Sequence, residues 1–405
     1  MMLLVTLALA ADLAITHATI LPVSGPTIPD GTLIVRDGKI VAVGSKIAIP
    51  AGATVYDANG QYLMPGIIDV HSHMGVYPWP GGTAHGDGNE MVEPFTPRAW
   101  AGDAFDMEDP AIPRARAGGV TSIQVLPGSG NLIGGRSLTV KLRPSRTLDG
   151  MAFKDAPPGI KMAIGENPKR VYQADTKQDD QIMTRMGEYA AFRAEFQSAL
   201  DYRAARARPN PPPMDLDLEV ILQVIDDKLR VNLHCYRTHD ILAFYRIADE
   251  FGFKVWALHH VLEGYKIRDV IKAHGSMIAT FADWWGFKLE AWDAIPENAV
   301  LTSQAGIPTA IKSDSASHIQ RLNLEAAKMV RYGMTEIDAL ESITLDAARV
   351  LGVEAKVGTL EPGKDADLAL FDKHPFDAYT KCQKTWIDGV LVYDRATMGV
   401  PDGIR

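Results

Sequence analysis

Residues 63–73 read Leu63-Met64-Pro65-Gly66-Ile67-Ile68-Asp69-Val70-His71-Ser72-His73, an apolar run that ends in two histidines one residue apart. The run suits a short buried strand, and in a strand residues i and i+2 share a face. His71 and His73 therefore project together. Two neutral imidazoles converging from one strand end can hold a divalent metal. A His-x-His triplet is common by chance, so the rest of the chain has to supply further ligands.

Upstream of this stretch, residues 11–62 have a β texture. Thr32–Arg36 and Lys39–Val43 flank Asp37-Gly38, a two-residue hairpin signal, and Asn59-Gly60 breaks the chain just before the motif. Residues 356–400 repeat the texture: Ala366–Phe371 and Thr385–Ile387 precede Asp388-Gly389, and Val390–Tyr393 follows. We expect one small β domain built from both termini. Residues 63–355 alternate strand and helix instead. Short buried strands are expected at Gly119–Leu126, Gly159–Ile164, Arg230–His234, Lys254–His259, Ser276–Phe281 and Ala310–Ser313, with helical periodicity at Ile241–Phe251 and Leu322–Tyr332. Such alternation implies a parallel sheet, and this many units implies a closed barrel. Residues 176–213 interrupt it with a long amphipathic helix that Asn210-Pro-Pro-Pro stops.

Four further candidates lie at or near expected strand ends: Lys161, His234, His260 and Asp314. The interval from His234 to His260 is about one strand–helix unit of ~30 residues, that from His260 to Asp314 about two, and that from His73 to Lys161 about three. Only Lys161 to His234 is too long for one unit, and it contains the helical interruption. The candidates then fall on strands one, four, five, six and eight, whose C-terminal ends meet at one mouth. His259 is a rival for His260. His239 and His318 follow strand ends, and His318, four residues past Asp314, is the better candidate for contact with a substrate. His17, His85, His274 and His374 read as surface or packing residues. Asn167, Arg170, Tyr236 and Arg237 follow strands four and five, where a guanidinium can clamp a carboxylate. The glycine-rich Pro127–Arg136 lacks a P-loop ending and dinucleotide spacing, and reads as a substrate-side loop.

Composition bounds the alternatives. A chain of 405 residues with 46% hydrophobic content can bury a large core. The net charge of -9 is spread along the chain and points to no nucleic acid; the basic Arg203–Arg208 reads as a solvated helix end. Two cysteines, Cys235 and Cys382, make no disulfide framework. The first ten residues are apolar and end in Ala8-Leu9-Ala10, like a signal-peptide cleavage site, although no basic residue precedes the run. Export to a periplasm is the expectation, with a cytoplasmic location as the alternative. No other stretch is long and apolar enough to span a membrane. The partner expected is a small-molecule substrate, with assembly into a homo-oligomer left open.

Taken together these stretches resemble the amidohydrolase superfamily. Met64-Pro-Gly-Ile-Ile-Asp-Val-His-Ser-His73 is similar to its first-strand signature. Val231-Asn-Leu-His234 and Ala257-Leu-His-His260 resemble its fifth- and sixth-strand histidines, and Ser313-Asp314 its eighth-strand aspartate. Val357 to Leu368 resembles the segment where the barrel returns to the β domain. Val261 stands where the family has a glycine-like position. The similarity is nearest to the imidazolonepropionase-like branch. It implies an α/β fold: a (β/α)8 TIM barrel (residues 63–355) with a small β-sandwich from both termini. It also implies a metal-dependent hydrolase of an amide, dipeptide or cyclic amide. Two divalent ions, zinc for preference, would sit one on His71, His73 and Asp314 and the other on His234 and His260. Gly159-Ile-Lys161-Met resembles the strand whose lysine is carboxylated to a carbamate that bridges the metals; a protonated lysine would repel them. Glu166 can bridge directly, as a glutamate does in some relatives. The two lie on opposite faces of a straight strand, and both stay open. Asp314 would move the proton of the attacking water to the leaving nitrogen, with His318 beside it. The other readings are a one-metal deaminase of a cyclic amidine and a non-catalytic scaffold.

Overall fold

The computed structural model describes residues 12–173 and 182–399. The apolar leader at residues 1–10 and the start of the helical interruption lie outside them. The strands are β1 (Leu13–Ile20), β2 (Ile28–Arg36), β3 (Lys39–Gly44), β4 (Thr54–Asp57), β5 (Tyr62–Pro65), β6 (Ile67–Ser72), β7 (Val120–Val125), β8 (Ile133–Arg136), β9 (Leu138–Lys141), β10 (Gly159–Ala163), β11 (Arg230–Cys235), β12 (Val255–His260), β13 (Met277–Thr280), β14 (Thr309–Ile311), β15 (Leu368–Phe371), β16 (Cys382–Ile387) and β17 (Val390–Asp394).

The termini share one eight-stranded sheet, ordered β17-β16-β15-β5-β1-β2-β3 with β4 beside β1. Both Asp-Gly signals form hairpins: Arg36 pairs with Lys39 and Ile387 with Val390. Asp37, Gly38, Asp388 and Gly389 all take positive φ, as this tight turn requires. The sheet joins both ends of the chain. Its strands are hydrogen-bonded into one sheet; the family resemblance implied a β-sandwich.

The middle of the chain forms a six-stranded sheet, β14-β13-β12-β11-β10-β8, and a three-stranded sheet, β6-β7-β9. β10 to β14 pair in parallel, as does β6 with β7. The fold is of TIM-barrel type, with two departures from the expected closed parallel ring. Its third position is antiparallel: β9 pairs with β7 and β8 with β10, so the chain around Ser137 passes from one sheet to the other. Between β14 and β6 there is no ladder; Asp314 N–H donates to His71 O at 3.1 Å instead. The glycine-rich segment is thus a loop only up to Leu132, and its last residues are β8.

Every residue of β6, β7 and β10 is buried, as strands covered on both faces require, and the buried positions include polar residues such as Asp69, His71, Gln124 and Lys161. The helix Arg185–Arg206 lies against this body. Thr184 caps it by accepting from Gly187 N–H, and Phe192, Phe196, Ala199 and Tyr202 form its buried stripe. Burying each such ring contributes about 2–3 kcal/mol.

Candidate metal centre

His71 is the last residue but one of β6, and its Nε2 lies 3.5 Å from Asp314 Oδ1; His73 Nε2 lies 3.2 Å from the same oxygen. His260 Nδ1 lies 3.7 Å from Asp314 Oδ2. The rings of His234 and His260 are 4.5 Å apart. Lys161, on β10, brings its Nζ to 3.5 Å from His71 Nε2 and 3.2 Å from Pro127 O. Five strand ends therefore deliver His71, His73, Lys161, His234, His260 and Asp314 to one place. The chain makes room for them by unusual backbone: His260, Val261 and Asp314 all have positive φ, at 72°, 39° and 51°. For residues with a Cβ this conformation is costly and is concentrated at functional sites. Val261 adopts the glycine-like conformation without being glycine.

Hydrogen bonds determine which ring nitrogens carry lone pairs. Asn232 Nδ2 donates to Arg230 O, so its Oδ1 faces His259 Nε2 at 3.0 Å and accepts from it. His259 Nδ1 then accepts from His71 Nδ1, 2.9 Å away. His71 is left with a lone pair on Nε2, the atom facing Asp314. His73 reaches the same state by donating from Nδ1 to Leu126 O at 2.8 Å. His259 is thus the partner that orients His71, while its neighbour His260 faces the cavity. Burial, with help from nearby lysine charges, holds His71, His234, His259 and His260 well below the ordinary imidazole value. They are neutral at physiological pH.

Asp314 is the counter-charge. Burial opposes its ionisation, but the charges of Lys312 and Lys161 outweigh that and hold the carboxyl below the usual range. Its place is fixed by Asp69, which accepts from His71 N–H and from both the N–H and hydroxyl of Ser313. Burial pushes Asp69 up to about 6 in spite of these bonds. Lys312, fully buried, sets its Nζ 3.3 Å from Asp314 Oδ2 and 3.6 Å from the centre of the Phe281 ring. Burial pushes it down to about 8. Lys161 is pushed further by burial, to about 7, with Lys312 adding and Asp314 opposing.

The donor set fits a divalent cation. Both ring nitrogens of His234, and Nδ1 of His260, are buried with no hydrogen-bond partner. An unmet buried polar group costs about 1–3 kcal/mol, a cost that ligation of a cation would offset. His71, His260 and Asp314 each offer an atom within 4.8 Å of the others.

Above the cluster is a cavity of ≈ 330 Å³, lined among others by Tyr77, Asn167, Arg170 and Tyr236. Tyr236 stacks on His260 with ring centres 5.0 Å apart, and Asn167 donates to Ser129 Oγ at 2.8 Å. Three residues expected here stand elsewhere. β10 ends at Ala163 and Gly165 turns the chain at φ 93°, so Glu166 opens the helix Glu166–Gln173 and its N–H donates to Glu290 Oε1. Arg237 precedes the helix Thr238–Phe251 and lies 3.7 Å from Glu263. His318 turns its ring edge-on to Trp284, 5.0 Å away. None of the three is among the residues lining the cavity. A larger cavity, ≈ 620 Å³, lies between residues 93–95 and two helices and holds none of the histidines. The candidate ligands line the smaller one.

Residues 296–396 match the model of the amidohydrolase family. The amidohydrolase tasK of Hapsidospora irregularis is 32% identical over 395 residues, covering 90% of this chain. The chain spans only 40% of that relative's length. An imidazolonepropionase of Sphingopyxis alaskensis is 25% identical over 85% of this chain and 87% of its own length. The crystal structure of an amidohydrolase from Thermotoga maritima MSB8 is 36% identical, superposes with a TM-score of 0.88, and covers 95% of this chain and 100% of that one.

Proposed function

The chain belongs to the amidohydrolase family and is a hydrolase of carbon–nitrogen bonds; from that premise we propose that it cleaves the amide of a small N-acyl amino acid, dipeptide or cyclic amide, using two zinc ions. Members of the superfamily use divalent metals. His71, His73 and Asp314 would hold one ion and His234 and His260 the second, with carboxylated Lys161 as a further ligand. The observation that carries the reading is His234: a buried neutral imidazole with both nitrogens bare, facing a ring of lone pairs and one carboxylate.

Lys161 supports the bridge by its chemistry. With its ammonium form weakened to about 7, a large fraction is free amine at neutral pH. The amine lone pair attacks the carbon of carbon dioxide, a C–N bond forms, and one N–H proton leaves to solvent. The product is an anionic carbamate with two oxygens. Bound divalent ions would lower the pKa of water towards about 7 and polarise the substrate carbonyl. Asp314, held ionised by Lys312, accepts the proton of the attacking water on a carboxylate oxygen and returns it to the leaving nitrogen. Tyr236, Asn167 and Arg170 orient the substrate in the cavity above. The test is turnover of a panel of dipeptides, N-acyl amino acids and cyclic amides by zinc-loaded protein. Release of a free amine, abolished by a chelator and restored by zinc, supports the proposal. Ammonia release from a cyclic amidine, with no amide cleaved, replaces it with deamination.

A further inference from the structure

Three loops that follow strand ends are tied to the first turn of one helix, the helix Arg185–Arg206 from the stretch that interrupts the strand–helix alternation. Arg185 Nε donates to Asp240 Oδ1 at 2.9 Å, and its Nη2 donates to Glu290 Oε1 at 2.5 Å. Asp240 stands in the first turn of the helix after β11, and Glu290 in the loop after β13. In the same helix as Arg185, Glu188 Oε2 accepts from Gly165 N–H at 2.9 Å. Glu290 Oε1 accepts from Glu166 N–H at 2.7 Å as well, so the turn after β10 is held by two carboxylates. Glu188, Asp240 and Glu290 are all buried. The other cations facing them are His239, 3.2 Å from Asp240 Oδ1, and Lys288, 3.2 Å from Glu290 Oε2. Among the described residues, Arg185 alone pairs with both Asp240 and Glu290. A planar guanidinium, with donors in fixed directions, suits such a double bond to two carboxylates. The wall of the cavity depends on these loops. Asn167 and Arg170 are on the helix that Glu166 opens, and Tyr236 lies between β11 and the helix that carries Asp240.

We propose that Arg185 is a positioning residue: it fixes the loops after β10, β11 and β13 in the arrangement that presents Asn167, Arg170 and Tyr236 to the substrate. This rests on the reading of the cavity above the histidines as the substrate site. Without the guanidinium, two buried carboxylates lose a shared cation and the loops part. Groups that orient a substrate tolerate little displacement. The test compares zinc-loaded wild type with Arg185→Met, Arg185→Lys and Phe196→Leu. The last loosens the packing of the same helix against Phe251 and Phe253 without touching the brace. Three quantities are measured: KM and kcat for the best substrate among the amides and a cyclic amidine, metal content, and hydrogen exchange of residues 164–173 and 283–292. Arg185→Met is expected to raise KM by about 10- to 100-fold with kcat within about threefold, because binding contacts are lost while the strand-end ligands stay. Exchange should quicken in both segments at unchanged metal content. Arg185→Lys keeps the charge but not the fork, and should fall between; Phe196→Leu should keep the wild-type KM. A wild-type KM or unchanged exchange in Arg185→Met overturns the proposal, as does an equal rise of KM in Phe196→Leu. If Arg185→Met does not fold, Arg185→Lys decides, and a wild-type KM there overturns it. The expected pattern, obtained with the cyclic amidine in a protein that cleaves no amide, keeps Arg185 in this role and removes amide hydrolysis.

Discussion

At Asp314 two demands meet in one side chain. Its Oδ1 faces His71 and His73, and its Oδ2 faces Lys312 and His260. Replacing it with asparagine preserves the shape but removes the charge and the proton-accepting oxygen. Asp314→Asn is expected to lower kcat by about 10²- to 10⁴-fold in a protein that still folds, measured by amine release and circular dichroism. Wild-type turnover would remove Asp314 from the chemistry. The residues of this scale that were legible in the sequence are those tied to strand alternation: His71 with His73, then His234, His260 and Asp314 at strand ends. Alternation also pairs Lys312 with Asp314, two residues later, and that signal went unread because a buried lysine is rare. The partition of His259 from His260 was not legible in residue type; it depends on Asn232, which orients one ring and leaves the other to the cavity.

Elements carry the site through a second set of bonds. The substrate-side helix Glu166–Gln173 starts at Gly165, whose N–H donates to Glu188 Oε2 at 2.9 Å, while Glu166 N–H donates to Glu290 Oε1 at 2.7 Å. A Cβ at Gly165 would come within 2.5 Å of Glu290 Oε1, and the φ of 93° also requires glycine here. Glu188 is fully buried; burial, with Asp240 and Glu290 nearby, pushes its carboxyl up to about 7 from 4.5. Between those values the unfolded chain has already lost the proton that the folded chain keeps. The contribution of Glu188 to stability therefore falls as pH rises across that window, by up to about 3 kcal/mol, and is constant below it. Glu188→Gln is expected to flatten the slope between pH 4.5 and 7 in urea unfolding; an unaltered slope would assign it to another group. The helices Thr238–Phe251, Leu322–Arg331 and Arg185–Arg206 and most parallel strands were legible as periodic patterns. β8 and β9 were not: each has four residues, the first contains Gly134 and Gly135, and their antiparallel pairing is set by neighbours distant in sequence.

The whole molecule is held together at Lys141, on β9. Its Nζ contacts Asp365 Oδ2 at 2.7 Å, Asp388 Oδ1 at 2.6 Å and Asp367 Oδ2 at 3.1 Å, and lies 4.8 Å from the centre of the Phe153 ring. Asp365 also pairs with Lys39, and Asp388 with Arg143 at 2.6 Å. The three aspartates belong to the C-terminal stretch that builds the terminal sheet, so this network fastens the sheet to the barrel-type body. Lys141→Met would leave buried carboxylates without their cation and should cost about 3–5 kcal/mol in denaturant unfolding. A loss below about 1 kcal/mol would show that apolar packing alone joins the two. The matching hairpin signals at both termini fall in one sheet; the lysine that ties it to the barrel-type body was not legible, because its partners lie more than two hundred residues away.

The central claim, a two-ion site bridged by carboxylated Lys161, is tested most directly by the metal content per chain of protein purified without chelators. The account predicts about two zinc or similar ions per chain, falling to one or fewer in Lys161→Ala. Close to one ion per chain in both proteins would contradict it, and would leave Lys161 a buried structural amine beside a one-metal site.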